Sequence, residues 1–371
     1  MIKIISVFGT RPEAIKMAPL VKKLSQDPDI QSKVVVTAQH RQMLDQVLDL
    51  FQIKPDYDLD IMKQGQTLTG VTVRVLSGLE EVIQAENPHM ILVHGDTTTT
   101  FSAALAAFYQ QTAIGHVEAG LRTFDKYSPY PEEMNRRLTG AMTDLHFAPT
   151  QTSMDNLLKE NISKEKIIVT GNTVIDALLE TVSKDYPLEE LLPKVDWNRR
   201  ILLLTAHRRE NWGEPLESIF TAAKKLIRDF PDTELIFPVH KNPKVSQLAN
   251  KVLADTHRIH LIEPLDYLPF VTLMNRSHLV LTDSGGMQEE APSLGKPVLV
   301  LRETTERPEA VAAGTVKMVG TFEHEIYKEG AELLENQTAY KKMAQAVNPY
   351  GDGKASGRIV DAIKNYFLRI K

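Results

Sequence analysis

The feature that most constrains this chain is a rhythm. Apolar runs of strand length stand at 3–8, 33–37, 90–94, 113–117, 145–148 and 167–169, and helix-length stretches separate them, among them 12–24, 42–51, 67–84 and 97–109. Strands divided by helices of about ten residues or more pair side by side in the same direction, so the pattern predicts βαβ units and a parallel sheet. The rhythm breaks at 184–199, a stretch rich in proline and charge that reads as a connector. It then restarts with strands at 201–206, 234–239, 259–261, 278–282 and 297–301, and a last helix at 355–368 closes the chain. With 371 residues the chain is too long for one typical core. The prediction is two doubly wound α/β halves of similar size.

The stretch 279–290 carries the clearest chemical signal. Leu279-Val280-Leu281-Thr282 reads as a buried strand that stops at Asp283 and turns through Ser284-Gly285-Gly286 into a helix. Two glycines let a ligand approach the backbone closely, and the N–H groups of a helix start carry roughly half a positive charge. Glu290 falls about one turn later, placed to accept two hydroxyls. After the next strand, Arg302 and Arg307 lie in a polar loop beside this turn. Guanidinium forks match phosphate oxygens. An ordinary turn with a serine cap explains Ser284 equally well, but the arginines favour a nucleotide-diphosphate site.

In open α/β sheets ligands bind beyond the carboxyl ends of the strands. The polar residues there are Gly9-Thr10-Arg11-Pro12-Glu13 with Lys16, then Gly95-Asp96, then Glu118 within His116-Val117-Glu118-Ala119-Gly120, and His207-Arg208-Arg209. Asp96 also suits the N-cap of the following helix, a role worth about 1 kcal/mol. Glu132 and Glu133 follow Pro131 and also suit a helix dipole. Glu118 has small neighbours and no local partner, which makes it harder to explain by structure. Composition narrows the chemistry. A net charge of −5 leaves no basic excess for a nucleic-acid backbone. The absence of cysteine removes disulfides and thiol nucleophiles and fits a cytoplasmic protein. No run approaches the ~20 apolar residues that span a bilayer. The dinucleotide and phosphate-loop glycine fingerprints are absent, and no ligand pattern suggests a metal. What remains is acid–base chemistry on a sugar carried by a nucleotide diphosphate, with no added cofactor.

Gly9-Thr10-Arg11-Pro12-Glu13, His94-Gly95-Asp96-Thr97, His116 to Thr123, Pro131-Glu132-Glu133-Met134-Asn135-Arg136, His207-Arg208-Arg209-Glu210-Asn211 and Asp283-Ser284-Gly285-Gly286 occur in order along the whole chain. Together they resemble the bacterial non-hydrolysing UDP-N-acetylglucosamine 2-epimerases. The resemblance implies a glycosyltransferase-B architecture of two Rossmann-like domains, 1–172 and 173–354, with the active site in the cleft between them. In it the C-terminal helix, 355–371, packs back on the first domain. It implies an isomerase that interconverts UDP-GlcNAc and UDP-ManNAc through loss and re-addition of UDP, supplying ManNAc for cell-surface polysaccharide. Asp96, Glu118, Glu132 and His207 match the proton-transfer positions. Arg11, Lys16, Ser284, Gly285, Gly286 and Arg307 match the diphosphate contacts, Glu290 the ribose contact and Phe270 the uracil contact. Gln39, Gln42, Glu132, Arg208 and His240 match a second UDP-GlcNAc site that activates family members. There this chain departs from the pattern, with Gly65 where relatives often carry arginine, so weaker activation is expected. A homodimer is implied as well. The rivals are a hydrolysing epimerase, a glycosyltransferase of the same architecture and a sugar-nucleotide sensor.

Overall fold

The structure is a computed structural model that describes residues 1–38, 41–63 and 65–370. The chain divides into two units, Met1–Leu179 with Tyr350–Lys371, and Glu180–Pro349. Both are built on parallel sheets. In the first, β1 (Ile2–Phe8), β2 (Ile30–Val36), β3 (Tyr57–Asp58), β4 (Met90–His94), β5 (Ala113–Val117), β6 (Leu145–Ala148) and β7 (Ile167–Val169) lie in the order β3-β2-β1-β4-β5-β6-β7. In the second, β8 (Arg200–Thr205), β9 (Thr233–Pro238), β10 (Ile259–Ile262), β11 (Leu279–Thr282), β12 (Val298–Val300) and β13 (Val316–Met318) lie in the order β10-β9-β8-β11-β12-β13. The central strands are buried along their whole length, as β4 and β11 show. This is why they read as continuous apolar runs and not as alternating ones. Each unit is a doubly wound, Rossmann-like fold.

The same topology recurs in both units. β1 sits between β2 and β4, and β8 sits between β9 and β11, so the winding direction reverses between β1 and β4 and again between β8 and β11. Beyond the carboxyl ends of such strand pairs the loops diverge and leave a crevice. The residues that follow β1, β4, β8 and β11 are the ones the sequence singled out.

Helix ends are set by capping. Thr10 caps Arg11–Gln26 in a reciprocal capping box with Glu13. Thr97, and not Asp96, caps Thr98–Tyr109 by accepting from the Thr100 N–H at 3.1 Å. Asp96 is therefore released from the capping role the sequence allowed it. The joint between the units falls inside helix Thr173–Val182, past the boundary expected at 172, and a side chain explains why. Asp176 on that helix accepts from the N–H groups of Ala355 and Ser356, at 3.1 and 2.8 Å. This pins the helix to the start of Ala355–Ile370, the second part of the first unit. Ile359, Val360 and Ile363 bury the inner face of that last helix, which packs on Arg11–Gln26. Lys364 adds ion pairs to Asp27 and Asp29 at 3.0 and 2.8 Å. Among the described residues no helix is long and apolar enough to cross a membrane.

Candidate active site

In the first unit the site forms where β1 and β4 diverge. Gly9 leaves β1 in space that no side chain can share, since a Cβ there would stand 1.9 Å from Thr37 Oγ1. Glu13 ties the two loops together. Its carboxylate accepts from the N–H groups of Gly9 and Thr10 at 3.0 and 2.8 Å, and from the Thr97 and Thr100 hydroxyls at 2.7 and 3.2 Å. Burial pushes its pKa up against the pull of these bonds. Glu13 is a structural clamp that fixes where the next residues point.

Glu118 follows β5 with φ at +61°, a left-handed conformation that costs a non-glycine residue about 1 kcal/mol or more. Lys16, Asn172 and His94 stand around its Oε2. Lys16, one turn into helix Arg11–Gln26, forms an ion pair with it. Asn172 Nδ2 donates to it at 3.0 Å. His94 Nε2, at the end of β4, stands 3.8 Å away. Burial pushes the His94 pKa down to about 4, against the pull of Glu118. His116 is likewise pushed down to about 4 by burial, and its Nε2–H donates to the Gly95 carbonyl at 2.7 Å. That bond holds the turn that carries Asp96.

Asp96 is ion-paired with Arg136, and Asn135 Nδ2 donates to its carbonyl at 3.0 Å. Both partners lie on helix Glu132–Met142. Of the two glutamates that start this helix, Glu133 is fully buried. It accepts from the N–H groups of Thr123 and Phe124, each at 3.1 Å, and pairs with Arg136 at 3.2 Å. Glu132 is half-buried, and its side chain makes no hydrogen bond or ion pair among the described residues. One carboxylate builds the loop and its neighbour is left uncommitted among the described residues. Arg11, half-buried, opens its helix unpaired among the described residues.

In the second unit the equivalent divergence, between β8 and β11, brings His207 to Asp283. Asp283 is fully buried and stands with Oδ1 3.1 Å from His207 Nδ1. Its Oδ2 accepts from the N–H groups of His207 and Arg208, both at 2.9 Å, and from Asn211 Nδ2 at 3.1 Å. Burial acts to raise the Asp283 pKa, but the His207 contact and the backbone donors outweigh it and hold the carboxyl below its usual range. The His207 ring stacks on His240 with centroids 6.0 Å apart.

Helix Gly285–Ser293 starts beside this pair. Ser284 occupies the N-cap position, yet its hydroxyl caps no helix N–H. The open end is ringed by charge. A Cβ added at Gly285 would lie 3.8 Å from Arg208 Nη2, 3.8 Å from Glu306 Oε2 and 3.9 Å from Arg307 Cζ. One added at Gly286 would lie 3.6 Å from Glu290 Oε2. Glu290 thus faces the same end, held by the Tyr267 hydroxyl, which donates to Oε1 at 3.0 Å. Phe270 is half-buried on Tyr267–Arg276, the helix that carries Tyr267. Arg307 pairs with buried Glu289. Arg302, expected beside the anion, turns inward instead, is 5% exposed, and pairs with Glu210 at 2.8 Å.

Most candidates therefore gather into two clusters: Lys16, Asp96 and Glu118 in the first unit, and His207, Ser284, Gly285, Gly286, Glu290 and Arg307 in the second. Arg208 and His240, expected at an activator site, join the second cluster. Gln39 and the side chain of Gln42 lie outside the described residues. Gly65 has φ at +69° and open space around it. Three contributors went unassigned in the sequence. Asn172 is a buried asparagine just past β7, His94 is a histidine closing an apolar strand, and Asp283 ends another. A buried polar residue at a strand's carboxyl end is the one signal they share.

Comparison with known proteins agrees along the chain. The family model described as UDP-N-acetylglucosamine 2-epimerase matches residues 22–364. A UDP-N-acetylglucosamine 2-epimerase of Bacillus subtilis (strain 168) is 59% identical over 362 residues, covering 98% of this chain and 95% of that protein. Its namesake in Escherichia coli (strain K12) is 55% identical over 370 residues, covering 98% of each. A crystal structure of UDP-GlcNAc 2-epimerase from Neisseria meningitidis bound to UDP-GlcNAc is 53% identical. It covers 98% of this chain and 100% of its own, with a TM-score of 0.89.

Proposed function

Because the chain belongs to the UDP-N-acetylglucosamine 2-epimerase family, with its two Rossmann-like units of glycosyltransferase-B type, we propose that it interconverts UDP-GlcNAc and UDP-ManNAc without hydrolysing them. The product, an activated N-acetylmannosamine, would feed cell-surface polysaccharide. The reaction proceeds by elimination and re-addition. A base takes the proton from C2, the C1–O bond breaks, a C1=C2 double bond forms, and the electron pair leaves with UDP. The 2-acetamidoglucal then receives a proton at C2 on its other face, and a UDP oxygen rebuilds the bond to C1.

Two demands follow, and both units contribute to each of them. The weakly acidic C2–H needs positioned acid–base groups, worth roughly 10²–10⁴ in rate apiece. Asp96, Glu118, Glu132 and His207 fill these roles, with Glu118 and Glu132 the best placed. Glu118 is held in a strained conformation among polar partners, and Glu132 is left uncommitted while its neighbour builds the loop. The leaving diphosphate needs charge stabilisation, which fixed donors and guanidinium groups provide. Ser284, Gly285, Gly286 and Arg307 supply these, and Arg11 and Lys16 add cations. Glu290 takes the ribose hydroxyls and Phe270 flanks the uracil. In the same reading the protein works as a cytoplasmic homodimer, and a second UDP-GlcNAc acts as a weak activator at Gln39, Gln42, Arg208 and His240.

The observation that carries the proposal is the Glu118 cluster, a strained carboxylate beside the Lys16 ammonium. The test is turnover of UDP-GlcNAc in D2O, followed at C2 by NMR. The expected product is UDP-ManNAc carrying deuterium at C2. Glu118→Gln should turn over at least ~10²-fold more slowly with UDP affinity preserved. Retention of the original C2 hydrogen would rule out elimination, and accumulation of free ManNAc would point to the hydrolysing reaction.

A further inference from the structure

His94 poses a problem that the reaction above does not solve. Its ring is 4% exposed, and neither nitrogen has a hydrogen-bond partner among the described residues. A neutral imidazole carries one N–H, and leaving it buried and unpaired is costly, so such a group in a folded protein calls for an explanation. Apolar residues fill the rest of β4, Met90 to Val93, and a further apolar side chain at its end would avoid that cost. The groups facing His94 are Glu118 and His116 on and after β5, Lys16 on helix Arg11–Gln26, and Asp96 in the following turn. Nε2 points toward Glu118 Oε2 but stops at 3.8 Å, about 1 Å beyond a hydrogen bond. Lys16 and Asn172 already occupy that oxygen.

We propose that His94 is a positioning residue for Glu118, donating from Nε2 to Oε2 once Lys16 is drawn away by an anionic ligand. The proposal rests on the reading that Lys16 serves the diphosphate. While paired with Glu118, the Lys16 ammonium offsets its charge and masks it as a base. When a diphosphate takes the ammonium, Glu118 becomes more basic but loses one of the donors that hold it. A neutral imidazole restores a donor without restoring a positive charge. The carboxylate stays aimed and its basicity is kept. Burial suits this role, because it keeps the ring uncharged at neutral pH.

The experiment pairs His94→Leu, which removes the donor, with His94→Gln, whose side-chain amide offers one at a similar reach. Both are measured for kcat, KM, UDP affinity and thermal unfolding against the unaltered protein. The expected result is a kcat lower by roughly 10- to 100-fold in His94→Leu, the range for losing a hydrogen bond to a charged group. UDP affinity should be unchanged, and His94→Gln should recover most of the rate. Equal kcat in both variants, or a loss that follows unfolding and not the donor, overturns the proposal. A second readout needs no variant: the His94 ring ¹⁵N–¹H signal should move on saturation with UDP, and a stationary signal with UDP demonstrably bound overturns it too. If the unaltered protein fails to turn over UDP-GlcNAc, it is the functional reading that falls.

Discussion

Gly285→Val separates the two things a glycine at a helix start can do. The nearest atoms to an added Cβ are the ends of Arg208, Glu306 and Arg307, at 3.8 to 3.9 Å. These are ordinary contact distances to flexible side chains, and the backbone at 285 is not in the left-handed region. The fold should therefore accept the substitution with a stability change within about 1 kcal/mol, since restricting the unfolded chain offsets the small crowding. The same Cβ and its two methyl groups, however, enter the space framed by two guanidinium groups and the uncapped start of Gly285–Ser293. A diphosphate oxygen seated there accepts from backbone N–H, and a hydrogen bond to a charged group is worth about 1.5–3 kcal/mol. Losing one such bond weakens binding by roughly 10- to 150-fold. Calorimetric titration with UDP, run beside thermal unfolding, reads both quantities on one sample. Unchanged UDP affinity in a variant that unfolds normally would remove this helix start from the site.

Three further outcomes follow from the same geometry. Glu132→Gln should leave thermal unfolding within about 0.5 kcal/mol of the parent while turnover collapses, whereas Glu133→Gln should cost about 2–3 kcal/mol of stability, because its buried carboxylate serves two backbone N–H groups and Arg136. If the two variants behave alike, the division of labour between them is wrong. Asp283→Asn should weaken the fold at neutral pH by about 1–3 kcal/mol. The Asp283 pKa is lowered on folding, so its contribution is present above the ordinary aspartate range and fades as pH falls through its folded value. The gap between parent and variant in urea titrations should therefore hold above pH ~5 and narrow below ~4, and a gap that widens on acidification would reverse the sign. Gly65→Arg should cost about 1 kcal/mol, since its φ of +69° disfavours a side chain, while making the velocity curve for UDP-GlcNAc more sigmoidal. Unchanged curves would detach this loop from activation.

The sequence revealed the interior of each element better than its edges. β4, β5 and β6 coincide with the apolar runs because parallel strands buried along nearly their whole length leave few polar positions to blur them. β3 and β13 escaped because two or three residues at a sheet edge carry no periodicity. Helix starts shifted by a residue where a threonine, at 10 or 97, supplied the cap. In the site, strand-end residues such as Glu118 and His207 were legible because topology puts such positions at the crevice. Their partners were not. Nothing local links Glu118 to Lys16, Asn172 and His94, which meet only because β1, β4, β5 and β7 deliver them to one end of a sheet. Arg302 was legible as a loop cation, but its burial and its pairing with Glu210, far away in sequence, were not.

Asn172 gives this protein a schedule. Its side chain holds Glu118, its own N–H donates to the Tyr350 carbonyl at 2.7 Å, and its side-chain oxygen accepts from the Val174 N–H at 3.1 Å. Tyr350 leaves the ribosome only after the whole of Glu180–Pro349 has been made. At ordinary synthesis rates that interval is on the order of 10–30 s. Asp176 waits equally long for Ala355 and Ser356. The nascent first unit thus already contains every strand of its sheet and all of its acid–base side chains. It lacks the anchor that steadies Glu118 through Asn172 until Glu180–Pro349 has been made and Tyr350 has followed it.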